Sequence, residues 1–280
     1  MMFLLRWLGR RPLWLLHALG AGLGRLAWWG SERYRRRMRS NAALAGVDEA
    51  TVRAAVPEAG RMIAELPRLW LRPPGRPLAD PVRWDGDAWL AGLLEAHRGV
   101  VLLTPHLGSF EVAGQAYAER FGEHWPMTAL YRPAENAFVR RLEETARARP
   151  GLMTAPASVG GVRQLLRVLK AGQTVGMLPD QVPPKGMGVW APFFGKPAFT
   201  MTLAVRLARQ SGAALAVLWC ERLPRGQGYV VHAQPLAHPP AVDADEVAAA
   251  TAINASMEAV IRQCPQQYLW GYFRYKGPSE

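Results

Sequence analysis

Short apolar runs alternate with amphipathic helical segments over most of the chain. Val100–Leu103 consists of valines and leucines between Gly99 and Pro105, which predicts a buried strand. The same criteria predict four more strands, over residues 127–133, 173–178, 213–220 and 228–234. They also predict helices over residues 134–147, 159–172, 199–210 and 243–263. Strands that alternate with helices predict an α/β sandwich, in which helices flank a central, mostly parallel or mixed sheet.

Individual residues set several of the predicted boundaries. Asp243 and Glu246 have the spacing of a capping box, so the last helix is expected to begin at Asp243. Gly172 is expected to end the helix that precedes it. Residues 150–158 are expected to form a loop, as are residues 179–197, which are rich in glycine and proline.

The first 40 residues combine an apolar segment with a strong positive charge. Residues 13–29 are mainly apolar, and nine arginines in residues 1–40 accompany a single acid, Glu32. A confident membrane span needs about 20 apolar residues, so this segment is expected to cross the bilayer at a tilt or to lie in its interface. Its tryptophans and arginines suit the headgroup region of a cytoplasmic leaflet. A cleaved signal peptide is the alternative, although no small-residue cleavage site follows.

The sequence therefore predicts two parts. Residues 1–40 form an uncleaved N-terminal membrane anchor with a basic flank, and residues 41–280 form a single α/β domain in the cytoplasm. Residues 41–77 lead into that domain, and their pattern is amphipathic and helical. Pro57 and Pro67 are expected to break this helical segment, because proline lacks the amide hydrogen that a helix interior needs.

The overall charge narrows the choice of partners. The chain has 280 residues and a formal net charge of +12, which favours nucleic acid, an anionic lipid or a phosphorylated substrate. The two cysteines, Cys220 and Cys264, predict neither a disulfide framework nor a zinc site.

The most informative local pattern is a histidine followed five residues later by a glutamate. His106 lies in the turn after the strand Val100–Leu103, and Ser109 is expected to cap the next helix. In an open α/β sheet such a turn opens into the ligand-binding crevice. A neutral imidazole there could accept a proton from an attacking hydroxyl, while Glu111 stabilises the imidazolium. An activated acyl thioester would make a nucleophilic serine or cysteine unnecessary. A purely structural hydrogen bond between the two side chains is the alternative.

Seven motifs, in chain order, carry a resemblance to a known family. They are His106-LGSF-Glu111; Tyr131-Arg132-Pro133-x-x-Asn136; Arg147 with Arg149; Gly161-Val162-Arg163; Pro179-Asp180-Gln181; Phe193-Phe194-Gly195 with Ala198 and Thr200; and Gln267-Tyr268-x-Trp270 leading to Arg274-Tyr275-Lys276. In these motifs the chain resembles the bacterial lipid A late acyltransferases, the lauroyl and myristoyl transferases, within the glycerolipid acyltransferase superfamily. With the N-terminal segment, the resemblance covers nearly the whole chain.

The resemblance implies a reaction and a set of roles. A fatty acyl group would pass from acyl carrier protein to a hydroxyl of a lipid A precursor, without a cofactor or metal, at the cytoplasmic face of the inner membrane. His106 would be the general base and Glu111 its partner. Arg147 and Asp180 would fall at active-site positions of the family. A carboxylate does not itself favour a phosphate, so Asp180 is expected to orient Arg147 or another basic group, or to bind a sugar hydroxyl. The residues placed on the substrate side are Arg132, Asn136, Arg147, Arg163, Asp180 and Gln181.

Other functions remain open. The acceptor could be another phospholipid or a lysolipid. A lipid esterase or thioesterase would use the same kind of apolar pocket, but the chain has no G-x-S-x-G motif. A nucleic-acid-binding protein would explain the positive charge, yet the arginines concentrate in the N-terminal segment and no recognised binding motif is present.

Overall fold

A computed structural model describes residues 2–73, 75–131, 136, 140, 143 and 149–278. The helices are α1 (Met2–Gly9), α2 (Leu13–Gly30), α3 (Glu32–Leu44), α4 (Glu49–Ala64), α5 (Leu66–Trp70), α6 (Asp87–Glu95), α7 (Phe110–Phe121), α8 (Val159–Lys170), α9 (Leu203–Ser211) and α10 (Glu246–Ile261). The strands are β1 (Val82–Asp85), β2 (Val100–Leu103), β3 (Met127–Tyr131), β4 (Leu152–Pro156), β5 (Thr174–Met177), β6 (Gly188–Phe193), β7 (Lys196–Met201), β8 (Ala214–Arg222) and β9 (Tyr229–Pro235).

Seven of the strands form one sheet in the order β1-β9-β8-β2-β5-β3-β4. Neighbours are parallel except for β8 and β9, which pair antiparallel, and β6 and β7 form a separate antiparallel hairpin. The prediction of a mostly parallel sheet flanked by helices is therefore confirmed.

The central strand β2 shows why helices cover both faces of the sheet. All four of its side chains are buried, and they alternate between two apolar cores. Val100 and Leu102 pack with side chains of α6 and α7, whereas Val101 and Leu103 pack with those of α8, α9 and α10. A strand buried on both faces is expected to be apolar throughout, as this one is.

Pro57 does not break the helical segment in which it lies. Helix α4 runs from Glu49 to Ala64 with Pro57 in its interior, so the predicted break there is wrong. The carbonyl that loses its helical partner belongs to Arg53, which is exposed and can bind water, while apolar packing holds the rest of α4. Helix α4 ends at Ala64 and α5 begins at Leu66, so the helical segment breaks just before Pro67, as predicted. Pro67 itself lies in the first turn of α5, where a proline is tolerated.

Strand pairing overrides local composition in two predicted loops. Residues 179–197 contain β6 and the start of β7, and the predicted helix over 199–210 begins only at Leu203. The hairpin brings Trp190 opposite Phe199, with their ring centres 5.6 Å apart. The predicted loop over 150–158 likewise contains β4, which pairs with β3 at the edge of the sheet. These three predictions are wrong, because pairing and packing, and not local composition, decide whether such segments form strands.

The N-cap of the last helix lies two residues later than predicted. Asp245, not Asp243, is the N-cap, and its Oδ1 accepts a hydrogen bond from the backbone N–H of Ala248 at 2.7 Å. Either aspartate satisfies the residue preference for an N-cap, so composition alone could not select between them. Gly172 follows α8 with φ +75°, in agreement with its predicted place at the helix end. The helix predicted over 134–147 lies mostly outside the described residues.

The N-terminal helix α2 packs closely on α4. A Cβ atom on Gly60 would lie 1.9 Å from the carbonyl oxygen of Gly20, so only glycine permits this approach. Within the part of the chain that the structure describes, no helix is both long and apolar enough to cross a membrane. Membrane anchoring by residues 1–40 therefore stays a prediction.

Candidate active site

Two neighbouring parallel strands, β2 and β5, bring a histidine and an aspartate together. Leu103 at the end of β2 is in register with Met177 at the end of β5. His106 and Asp180 each follow three residues after these positions, so both leave the sheet at its carboxyl edge. Ligands of open α/β sheets bind at that edge.

Asp180 binds both the ring and the backbone of His106. Its Oδ1 lies 2.7 Å from the ring Nδ1, and its Oδ2 accepts a hydrogen bond from the backbone N–H at 2.8 Å. Burial alone would raise the pKa of Asp180, but His106 and Arg274 hold that pKa below its ordinary value. Because the carboxylate is ionised, Nδ1 carries the ring hydrogen and Nε2 presents its lone pair.

Gln181 occupies the other side of the imidazole. Its side-chain nitrogen lies 2.9 Å from Nε2 of His106 and can donate a hydrogen bond to that lone pair. The ring of Phe110 meets the imidazole edge to face, with centres 4.9 Å apart. His106 is thus held on three sides, and the atom that would accept a proton is in contact with a polar group that a substrate hydroxyl could replace.

Of the predicted site residues, the structure brings His106, Asp180 and Gln181 together. Both carboxylate oxygens of Asp180 contact His106, and Tyr268 and Arg274 also interact with this carboxylate. The expectation that Asp180 orients Arg147 or another basic group, or binds a sugar hydroxyl, stays a prediction. Glu111 is half-buried in the first turn of α7. Its role as the partner of His106 stays a prediction.

Of the other predicted substrate residues, the structure describes only two. Arg163 lies on the exposed face of α8, and Asn136 is exposed. Arg132 and Arg147 lie outside the described residues. Within the described part of the chain, no group of three or more His, Cys, Asp or Glu side chains could hold a metal ion.

Sequence reasoning missed a buried carboxylate close to the site. Glu65, between α4 and α5, is 1% exposed and accepts a hydrogen bond from Ser109, three residues after His106. Ser109 does occupy the predicted N-cap position of α7, but its side chain makes no capping hydrogen bond. In the sequence Glu65 is one acid in an amphipathic helical segment, where an exposed acid is the ordinary expectation, so nothing singled it out.

Comparisons with known proteins agree with the motifs. Residues 1–277 match the profile of the family described as bacterial lipid A biosynthesis acyltransferase. The chain is 29% identical to the lipid A biosynthesis lauroyltransferase of Escherichia coli, over 99% of this chain and 92% of that protein. It is 31% identical to the palmitoleoyltransferase of the same organism, over 64% of this chain and 56% of that protein. A lipid A biosynthesis acyltransferase of Haemophilus influenzae is 25% identical, over 62% of this chain and 52% of that protein.

Proposed function

The chain belongs to the bacterial lipid A biosynthesis acyltransferase family, and we propose that it transfers a fatty acyl group from an acyl thioester to a hydroxyl of a lipid A precursor. The observation that carries this proposal is the hydrogen-bonded pair of His106 and Asp180 at the carboxyl edge of the sheet. A base held in this way can activate a hydroxyl without a nucleophilic residue of the enzyme.

His106 acts as base and then as acid in one cycle. Its Nε2 takes the proton of the acceptor hydroxyl as the hydroxyl oxygen attacks the thioester carbonyl. The new C–O ester bond forms, the C–S bond breaks, and the leaving thiolate takes the proton from the imidazolium. The cycle returns His106 to its neutral form and needs no cofactor. The hydroxyl enters where the Gln181 amide now lies, because that amide contacts Nε2.

Asp180 orients the base and stabilises its positive charge. A carboxylate on Nδ1 fixes the tautomer that leaves Nε2 free to accept a proton, and it attracts the imidazolium that forms. The resemblance assigns this stabilising role to Glu111. Glu111 therefore remains a candidate for a second carboxylate beside the base.

The donor and the acceptor are proposed from the family. Acyl carrier protein is the proposed carrier of the thioester, and the net charge of +12 suits an anionic glycolipid acceptor. Arg132, Asn136, Arg147 and Arg163 stay candidates for contacts to that acceptor.

We further propose that the N-terminal helices attach the enzyme to the cytoplasmic face of the inner membrane by lying in its interface. On α2, Leu19, Leu23, Leu26 and Trp29 are between 46% and 72% exposed. A groove of about 660 Å³, lined by apolar residues of α1, α2, α4 and α5 and the residues that adjoin them, runs beside this face. Residues 1–31 contain four arginines and no acid, a charge that suits anionic headgroups.

Mass spectrometry of the reaction products tests the proposed function. The purified enzyme is incubated with acyl-carrier-protein or acyl-coenzyme A donors, and with a lipid A precursor or a lysophospholipid as acceptor. We expect the lipid A precursor to gain the mass of one acyl chain, with one thiol released for each ester formed. Free fatty acid without an acylated acceptor would instead identify a thioesterase, and acylation of the lysophospholipid alone would identify another acceptor class.

A further inference from the structure

A buried pair of opposite charges lies beneath the loop that carries His106. Glu65 and Arg222, at the end of β8, are 1% and 3% exposed. Nη2 of Arg222 donates to Oε1 of Glu65 at 2.8 Å, and its Nε donates to Oε2 at 3.1 Å. Glu58 accepts a further hydrogen bond from Nη1 at 2.9 Å.

Both members of the pair also hold the loop itself. Oε1 of Glu65 accepts a hydrogen bond from Oγ of Ser109 at 2.6 Å, and Nη2 of Arg222 donates to the carbonyl oxygen of Gly108 at 3.1 Å. The Ser109 hydroxyl therefore binds Glu65 and does not cap α7. Residues two and three positions after His106 are therefore fixed by one buried ion pair.

The rest of the loop has little freedom to compensate for a loss of these contacts. Gly108 has φ +59°, and a Cβ atom there would lie 1.9 Å from the carbonyl oxygen of Cys220. Its backbone N–H donates to the carbonyl oxygen of Gln267 at 3.0 Å. A small shift of this segment would move the imidazole relative to Asp180, and displacements of about 1 Å can lower catalytic rates about 100-fold.

Stability alone is a weak explanation for this arrangement. Replacing a buried ion pair by packed apolar side chains is often neutral or stabilising, so burial of the pair does not by itself account for it. Burial raises the pKa of Glu65, but Arg222 and the hydrogen bonds from His17 and Ser109 outweigh that effect and lower the pKa to about 2. The carboxylate therefore stays charged and in place at any pH near neutrality.

We propose that Glu65, together with Arg222, is a positioning residue for the transfer reaction and acts on His106 through Ser109 and Gly108. The inference rests on the proposed role of His106 as the base. It assigns a role in catalysis to a residue of the N-terminal helical segment, outside the seven motifs.

The experiment compares two hydroxyl groups that bind the same carboxylate. Tyr229 donates its hydroxyl to Oε2 of Glu65 at 3.1 Å and is buried like Ser109, but it lies on β9 and outside the loop. Ser109→Ala and Tyr229→Phe each remove one hydrogen bond to Glu65 and leave both buried charges paired. Glu65→Gln would leave Arg222 partly unpaired and lower the stability of the protein strongly, so the hydroxyl partners are the better kinetic probes.

We expect the two variants to separate in kcat and not in stability. Ser109→Ala lowers kcat at least about tenfold, with KM for donor and acceptor within about twofold of wild type, because only the placement of the base changes. Tyr229→Phe keeps kcat within about twofold. The Tm falls by a similar amount in the two variants, since each loses one hydrogen bond to a charged group.

Two results would overturn the inference. Equal losses of kcat in the two variants would show that the carboxylate serves only stability, and a wild-type kcat in Ser109→Ala would show that the loop does not need Glu65. The outcome for the proposed function is separate: His106→Ala tests the base directly, and retention of more than about a tenth of wild-type activity in that variant would refute the base whatever Ser109→Ala shows.

Discussion

Asp180 holds His106 by both carboxylate oxygens, Oδ1 at 2.7 Å from the ring Nδ1 and Oδ2 at 2.8 Å from the backbone nitrogen. A two-point contact fixes the direction of the imidazole as well as its tautomer. This contact joins the ends of two neighbouring strands, so the geometry of the sheet determines the position of the base.

The first prediction concerns that contact. Asp180→Asn cannot stabilise an imidazolium and can present an amide hydrogen to Nδ1, which favours the wrong tautomer. We expect kcat to fall about 10²- to 10⁴-fold while KM changes little. Steady-state kinetics with each substrate varied separately measure this, and a kcat within about threefold of wild type would exclude Asp180 as the orienting carboxylate.

Glu111→Gln tests the other candidate carboxylate. The spacing of His106 and Glu111 predicts a severe loss of kcat, because the neutral amide no longer stabilises positive charge on the base. Glu123→Gln is a suitable control, since Glu123 is exposed in the turn that follows the same helix. Near wild-type activity in Glu111→Gln would mean that Asp180 alone serves His106.

Gln181 should respond differently to two substitutions. Gln181→Ala removes a group that the acceptor hydroxyl displaces, so much of the activity should survive. Gln181→Glu places a second carboxylate beside Nε2, which favours the protonated imidazole and removes the base. We expect Gln181→Glu to be at least about tenfold slower than Gln181→Ala at neutral pH. Equal rates for the two variants would place the acceptor hydroxyl elsewhere.

The sequence predicted the fold class, β2 and the position of His106 because a fully apolar strand and its flanking glycine and proline are local signals. It did not predict that Asp180 would meet His106. That contact depends on β5 lying beside β2, and strand order is a property of the whole sheet. The hairpin of β6 and β7 was missed for a different reason: the glycines and prolines of residues 179–197 indicated a loop, whereas pairing across the turn at Phe194 and Gly195 makes strands of these residues.

The N-terminal helices should bind lipid through the exposed face of α2. Leu23→Glu places a charge at a position that is 60% exposed and should weaken binding to vesicles that contain anionic lipid. Val242→Glu is the matched control, because Val242 is 92% exposed in the segment before α10. Vesicle flotation at low and high salt measures binding, and equal binding of both variants would place the attachment elsewhere. Point variants are preferable to deletion, since α2 packs on α4.

The buried pair should make stability depend on pH in acid. The pKa of Glu65 falls from 4.5 to about 2 on folding, so between these values the unfolded chain binds more protons than the folded one. The free energy of unfolding therefore decreases as pH falls from 4.5 towards 2. In urea titrations, the gap in midpoint between wild type and Glu65→Gln should narrow from pH 6 to pH 3. A gap of constant size would show that the partners of Glu65 do not stabilise its charged form in the folded protein.

The rate of acyl transfer by His106→Ala tests the central claim most directly. His124→Ala is the matched control, because His124 is exposed in the turn before β3, at the opposite edge of the sheet. With an acyl thioester and a lipid A precursor, His106→Ala should lose at least about 100-fold in the formation of acylated acceptor and remain folded, while His124→Ala should remain near wild type. A folded His106→Ala that retains more than about a tenth of wild-type activity would contradict the account.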